Sequence, residues 1–235
     1  AQFGAAQINC EGSRFFNNTF LDHNVLAYRG RVGFHDFHGA ILRNNIFYNH
    51  DHGGVAFERP VDSDYNCFFG FDSLYAEGGE PGEHDILIDP LLVGGNPFAC
   101  DLLFGSPCID AGDPELGPDP DGSLKDIGAR FFDQRIDHDP VVISPWIQYC
   151  GSGRDFTYVV RAVDDGEITE ISYQGLPDWL NVTEENPEDG WSVISGNAPE
   201  DQEDFEFTVI ATDENDNDGT MNIIIPCRDA TFLKG

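Results

Sequence analysis

The side chains best placed to do chemistry in this chain are clustered oxygens. Between two strand-like runs, Asp213 to Gly219 reads Asp-Glu-Asn-Asp-Asn-Asp-Gly, with carboxylate and amide oxygens at short spacing. Such a run suits Ca²⁺, a hard cation that takes six to eight oxygen ligands. Asp213, Asn215, Asp216 and Asn217 are the candidate ligands. The spacing is not that of an EF-hand, because Gly219 falls one place late and Ile224 stands where the bidentate Glu would be. The alternative is a solvated hairpin tip. Asp119, Asp121 and Asp126 form a second oxygen cluster that could hold calcium, although Asp121-Gly122 is also a turn signal.

Imidazoles and guanidiniums give another constellation. His23 and His50 occupy equivalent places in two copies of a repeated phrase, with His35, His38 and His52 nearby. Stacked imidazoles beside Asp22, Asp36 and Asp51 could form a transition-metal or acid/base site, while hydrogen bonding to a neighbouring turn is the commoner role. The third copy has Phe71 at that place, which interrupts the file. Arg14, Arg29, Arg31, Arg43 and Arg59 are the basic cluster around the repeated phrases. His23, His50, His52, Arg29 and Arg43 are the side chains expected to meet a glycan. No Ser-His-Asp order, Walker loop, zinc motif or dinucleotide fingerprint is present, and no catalytic residue is assigned.

The charge narrows the partners. Among 235 residues, 43 acidic against 12 basic side chains leave a formal charge of −31. This disfavours nucleic-acid phosphates and anionic lipid, and favours cations and neutral glycans. Ten of the basic residues are Arg; the two Lys are Lys125 and Lys234. No apolar run approaches a membrane span and no leader is visible. Six cysteines without CxxC spacing favour an oxidising, extracellular setting. Cys100 and Cys108 could close a small loop, Cys150 and Cys227 could join first and last strands, and Cys10 and Cys67 would remain. Six cysteines allow 15 connectivities, so the pairing stays open. Asn17 and Asn181 begin glycosylation sequons.

The elements that must position these residues are written in a repeat. Asn18-Thr19-Phe20, Asn45-Ile46-Phe47 and Asn66-Cys67-Phe68 recur at spacings of 27 and 21 residues. Around them lie short β-branched and aromatic runs, Val25 to Tyr28, Ala40 to Leu42 and Val55 to Phe57, divided by Gly, Asn, Asp and His. This pattern predicts a parallel β-helix, one copy per coil, with coils about 4.8 Å apart and equivalent residues stacked in files. Asn files would satisfy turn backbone and one another, and Phe files would fill the interior.

The Asn-x-Phe copies resemble right-handed parallel β-helix proteins of the pectate-lyase-like superfamily. Residues 89 to 129 are similar to the closing segment of large bacterial surface β-helix proteins. That similarity is carried by Asp89-Pro90, by Gly105-Ser106-Pro107 with Ile109-Asp110-Ala111-Gly112-Asp113, and by Asp119, Asp121-Gly122 and Asp126-Ile127-Gly128-Ala129. The superfamily includes lyases, hydrolases and adhesins, so the resemblance implies architecture rather than activity. Its polysaccharide-cleaving members often use a Lys or Arg base in a long groove, and Lys is nearly absent here.

A second unit is expected after the polar stretch 133–140. Thr157 to Val163, Glu170 to Tyr173, Trp191 to Ile194, Glu206 to Thr212 and Thr220 to Ile225 read as strands of an all-β sandwich. This region resembles bacterial cadherin-like, dystroglycan-type Ig-fold modules, which implies that Trp179 plugs the core and that Phe207 and Val209 face inward. The expected fold is therefore all-β, with a short right-handed parallel β-helix over 1–136 and an Ig-like β-sandwich over 137–235. The expected role is a secreted or cell-surface structural and adhesive protein. It would contact a polysaccharide or surface glycan, or assemble with other chains or missing upstream coils through an open β-helix end. The alternative is the C-terminal part of a polysaccharide lyase or glycoside hydrolase with its active coils upstream. Neither a nucleic-acid partner nor a membrane span is expected.

Overall fold

In the computed structural model, residues 12–22, 39–49, 55–57, 59–75, 77–93 and 100–228 are described. Arg29, Arg31, His23, His35, His38, His50, His52, Cys10 and the Val25 to Tyr28 run lie outside them. The described part is all-β and divides into two compact units, residues 1–135 and 136–235.

Among the described residues of the first unit, eight short strands form: β1 (Arg14–Phe16), β2 (Thr19–Asp22), β3 (Ile41–Arg43), β4 (Ile46–Asn49), β5 (Val55–Phe57), β6 (Asp62–Asp64), β7 (Cys67–Phe69) and β8 (Ser73–Tyr75). They pair in parallel as three ladders, β1-β3-β6, β2-β4-β7 and β5-β8. The repeat sets the register. Thr19 lies opposite Ile46, which lies opposite Cys67, and Phe20, Phe47 and Phe68 align likewise. The three phenylalanine rings stack nearly flat, with centroids 4.8 and 5.0 Å apart. Phe57 meets Phe47 and Phe68 edge-on, and Ala40, Leu42, Ala56 and Tyr75 complete this buried cluster.

The asparagines hold the register. The backbone and side-chain amides of Asn18 both donate to Asn45 Oδ1, at 3.1 and 3.0 Å. Those of Asn45 donate to Asn66 Oδ1, both at 2.9 Å. Asn45 Nδ2 also reaches the Phe15 and Arg43 carbonyls, so this buried amide is satisfied at both ends. The column has a fourth rung that the repeat does not announce. Asn66 donates from its backbone and its side chain to Asp85 Oδ1, and Ile86 bridges to Cys67 in parallel. A carboxylate accepts and passes no donor onward, so Asp85 closes this run of amides; its other oxygen takes Ser63 Oγ and the Gly82 N–H.

The residue before each rung explains the doubled Asn. Asn17 and Asn44 have φ of 55° and 57°, the left-handed region that Asn tolerates better than most side chains. Tyr65 adopts the same conformation at φ 56° in the third copy.

The second unit is a two-layer sandwich. One sheet runs in the order β13 (Leu180–Asn186), β14 (Trp191–Asn197), β11 (Asp155–Val163), β9 (Val141–Val142); the other is β12 (Ile168–Gln174), β15 (Phe205–Asp213), β16 (Asp218–Ile225). All pairs within these two sheets are antiparallel, whereas β10 (Cys150–Gly151) and β17 (Cys227–Arg228) pair in parallel. Phe156, Tyr158, Val160 and Ala162 alternate inward from β11 and meet Phe207, Val209 and Ala211 of β15 with Ile223 and Ile225 of β16. Phe207 and Val209 are inward as expected, 2 % and 0 % exposed. Trp179 differs from its expected place. It packs half-buried against the core, edge-on to Phe156 and Phe205, because its indole N–H must reach Gln202 Oε1 at 2.8 Å. Strand β13 left no alternation in the sequence because only Leu180 is buried along it.

Replacing Asn45 with Ala strands buried donors and acceptors of three neighbouring turns, so Asn45→Ala is expected to cost roughly 3 kcal/mol. Urea unfolding followed by far-UV dichroism checks this, and a loss below about 0.5 kcal/mol, the range of ordinary surface changes, would remove the column's structural role.

Candidate functional site

Carboxylates at the ends and edges of these ladders show what the oxygen-rich segments do. In the closing segment each predicted ligand already serves a loop. Asp119 Oδ1 accepts from Lys125 Nζ at 2.6 Å and its Oδ2 from the Asp126 N–H at 2.7 Å. Asp126, 3 % exposed, takes the N–H groups of Asp110 and Phe132, both at 2.7 Å. Asp121 takes the Ser123 N–H and hydroxyl and the Gln134 N–H. Burial raises the Asp126 pKa, and the two N–H groups only partly offset that. These carboxylates pin the segment's turns.

The pinned segment lies along the outside of the asparagine column. Gly128 donates to the Asn44 carbonyl, Asp113 N–H to Asn44 Oδ1, and Ala129 N–H to Thr19 Oγ1. A Cβ on Gly128 would come 2.8 Å from Ile46 Cδ1, and one on Gly112 would come 2.7 Å from the Lys125 carbonyl. Gly128 also has φ of 119°. The two glycines of the Asp-Ala-Gly-Asp and Asp-Ile-Gly-Ala phrases are thus required by close approach.

In the second unit, the 213–217 loop joins β15 to β16 as a tight hairpin. Buried Asp213 accepts the N–H groups of Asn215 and Asn217 on Oδ1, each at 2.8 Å, and Asn217 Nδ2 on Oδ2 at 2.9 Å. Asn215 and Asn217 also donate to Asp137 Oδ2. Asp216 is exposed, with φ of 65°. The structure therefore brings Asp213, Asn215 and Asn217 together and turns Asp216 outward. Among the described residues no three His, Cys, Asp or Glu side chains gather as a metal site. Among the described residues, Asp164 Oδ1 is buried with no hydrogen-bond partner, and the Asp213 charge acts on its carboxyl.

Of the residues expected to meet a glycan, only Arg43 is described. Its guanidinium is engaged by the Leu42 and Asp62 carbonyls and by Asp62 Oδ1. The structure offers instead a group that sequence reasoning missed. The Tyr65 and His84 rings stack 4.3 Å apart and 8° from parallel. Asp64 accepts the His84 and Tyr65 N–H groups and meets His84 Nδ1 at 3.1 Å. Burial opposes the Asp64 charge, but these bonds outweigh it and hold its pKa below the ordinary carboxylate value. The signal was available: His84-Asp85 continues the file Asn17-Asn18, Asn44-Asn45, Tyr65-Asn66, once Asp is allowed to end an Asn column.

The small loop that Cys100 and Cys108 could close is open in this structure. None of Cys67, Cys100, Cys108, Cys150 and Cys227 is disulfide-bonded here. Cys108 shares a core cluster with Cys67, and Cys100 is only partly buried.

No protein-family model and no curated protein matches the chain. Among solved structures it is similar to the sialic acid binding region of the Streptococcus sanguinis SK1 adhesin, at 15% identity and TM-score 0.38, over 42% of this chain and 32% of that one. It is also similar to the SrpA adhesin from Streptococcus sanguinis, at 19% identity and TM-score 0.37, over 43% and 62%. Titin domain M7 matches at 10% identity and TM-score 0.32, over 40% and 97%. The chain spans less than two thirds of the length of either adhesin structure.

The Asp64 interaction has a defined pH sense. Its folded pKa is depressed, so its stabilising contribution is full above the ordinary value of 3.8 and is lost as pH falls through the lower folded value. Asp64→Asn is expected to lower the melting temperature at pH 7, and the gap to the parent chain is expected to close on acidification below 3.8. Parallel melts across pH check this; a gap that persists in acid would assign the effect to packing.

Proposed function

We propose that this chain is part of an extracellular adhesive protein that contacts glycans. In this reading the first unit is the end of a right-handed parallel β-helix, and the second is an Ig-like, cadherin-like module that spaces or docks it. The observation that carries the reading is the unbroken column Asn18–Asn45–Asn66–Asp85 beside the flat Phe20–Phe47–Phe68 stack. Such a stack makes a stiff rod whose outer face repeats a small set of polar and aromatic groups. On that face Tyr65, His84 and Asp64 combine a flat ring pair with a hydrogen-bonding carboxylate. Sugars are recognised by that pairing: C–H faces lie on rings while hydroxyls donate to carboxylates. The charge of −31 agrees with a neutral rather than an anionic glycan.

A labelled chain on an array of neutral oligosaccharides is expected to bind without releasing reducing ends. The double variant Tyr65→Asn, His84→Ala is expected to weaken binding at least about tenfold, the loss of one good contact, with the melting temperature changed by only a few degrees. Asn is chosen at 65 because it keeps the left-handed backbone. Absence of binding on the array, or sugar release, would overturn the adhesive reading.

Calcium at the 213–217 loop is a second reading, favoured by the partnerless Asp164 oxygen. Asp164, Asp213 and the amides of Asn215 and Asn217 would hold the ion, which would supply positive charge to a strongly acidic region. Millimolar Ca²⁺ is then expected to raise the melting temperature relative to chelator, and Asp164→Asn to abolish the rise. An unchanged melt for the parent chain would dismiss this reading.

A further inference from the structure

Two pairs of thiols face one another, one pair in each unit. Cys67 on β7 and Cys108 in the closing segment are both 0 % exposed and share a core cluster with Ile46, Leu102 and Ile127. The Cys108 thiol is also the largest influence on the Cys67 thiol, whose pKa it raises. Ile127 donates to the Cys108 carbonyl, so the Cys108 backbone is fixed by the same segment that runs along the column. In the sandwich, Cys150 and Cys227 are direct partners across the parallel pair β10–β17, both nearly buried. Directly opposed residues of neighbouring strands lie about 4.8 Å apart, which falls within the Cα separation that a disulfide spans.

We propose that Cys67–Cys108 and Cys150–Cys227 are the cross-linking sites of this chain, each closing to a disulfide when it folds in the presence of a small-molecule disulfide oxidant. One cysteine thiolate attacks the oxidant RSSR, giving a protein–SR mixed disulfide and releasing RS⁻. The partner thiolate then displaces the second RS⁻, so two thiol protons leave and two electrons reduce RSSR to two RSH. Once the units are folded the thiols are protected. The Cys108 contact and burial both raise the Cys67 pKa, and burial with the Cys150 contact pushes Cys227 up to about 12. Exchange therefore belongs to folding, before the cores close. The first link fastens the closing segment to β7 at the end of its parallel ladder; the second ties the start of the sandwich to its last strand. Neither link depends on the glycan-binding reading, and both can be tested without any sugar.

The full chain, reduced and denatured, is refolded in a mixture of oxidised and reduced glutathione, alkylated without reduction, digested and mapped by mass spectrometry. Expected are one linked peptide pair joining Cys67 to Cys108 and one joining Cys150 to Cys227, each lighter by two hydrogens. Reductant is expected to lower the melting temperature. Cys108→Ser is expected to leave the Cys150–Cys227 pair intact and Cys67 alkylated. Recovery of Cys67 and Cys108 as alkylated thiols in refolded parent chain, or a link from Cys108 to Cys100, overturns the first site. Alkylated Cys150 and Cys227 overturn the second. The parent-chain map decides both even where the variant fails to fold.

Discussion

In-register stacking of short parallel strands is the constraint on which the first unit depends. Strands of three or four residues have little stability alone, since a single short pair is marginal in water. They persist here because each is paired above or below at a register fixed by side chains as well as backbone. An asparagine amide is suited to fixing a register, because its oxygen accepts from the preceding rung while its nitrogen donates to the next. Rung spacing in sequence runs 27, 21 and 19 residues, yet the spatial register does not slip. Loops of different length take up the differences, and loop entropy grows only slowly with length.

The same hydrogen-bonding logic explains the acidity of the closing segment. A chain with 43 acidic residues carries a large repulsive charge, but several of these carboxylates are local acceptors rather than surface decoration. Asp119, Asp121 and Asp126 each collect backbone N–H groups and so impose a path on a stretch that has almost no regular secondary structure. A segment without its own ladders needs such partners, since buried backbone groups left unpaired are costly. The path then brings Gly112 and Gly128 against Asn44 and Ile46, where a side chain would not fit.

The sandwich is held by a different interaction. Its long strands alternate inward residues from both sheets into one core, and Phe156, Phe205, Phe207 and Trp179 meet mostly edge to face. Polar capture at its margins follows the pattern of the first unit. Asp213 organises the β15–β16 hairpin by accepting two backbone N–H groups, so an acidic loop that looks made for a cation is also a turn built on its own carboxylate.

Sequence alone determined the Asn-x-Phe register, because a stacked strand writes its period into the chain, while the inward Phe207 and Val209 of β15 followed from the resemblance to Ig-fold modules. Other features needed the tertiary structure. The fourth rung was hidden because Asp85 stands where the earlier copies have Asn, and the Phe that follows in those copies has no counterpart there. Strand β13 was hidden because an exposed edge strand buries one side chain and leaves no alternation. Trp179 moved to the rim because its N–H required Gln202. The partners of Cys67 and Cys108, the Tyr65–His84 stack and the loop role of the closing carboxylates are contacts between residues that the sequence order does not bring together. Such contacts exist only once the ladders fix which turns lie side by side, and spacing along the chain carries no record of them.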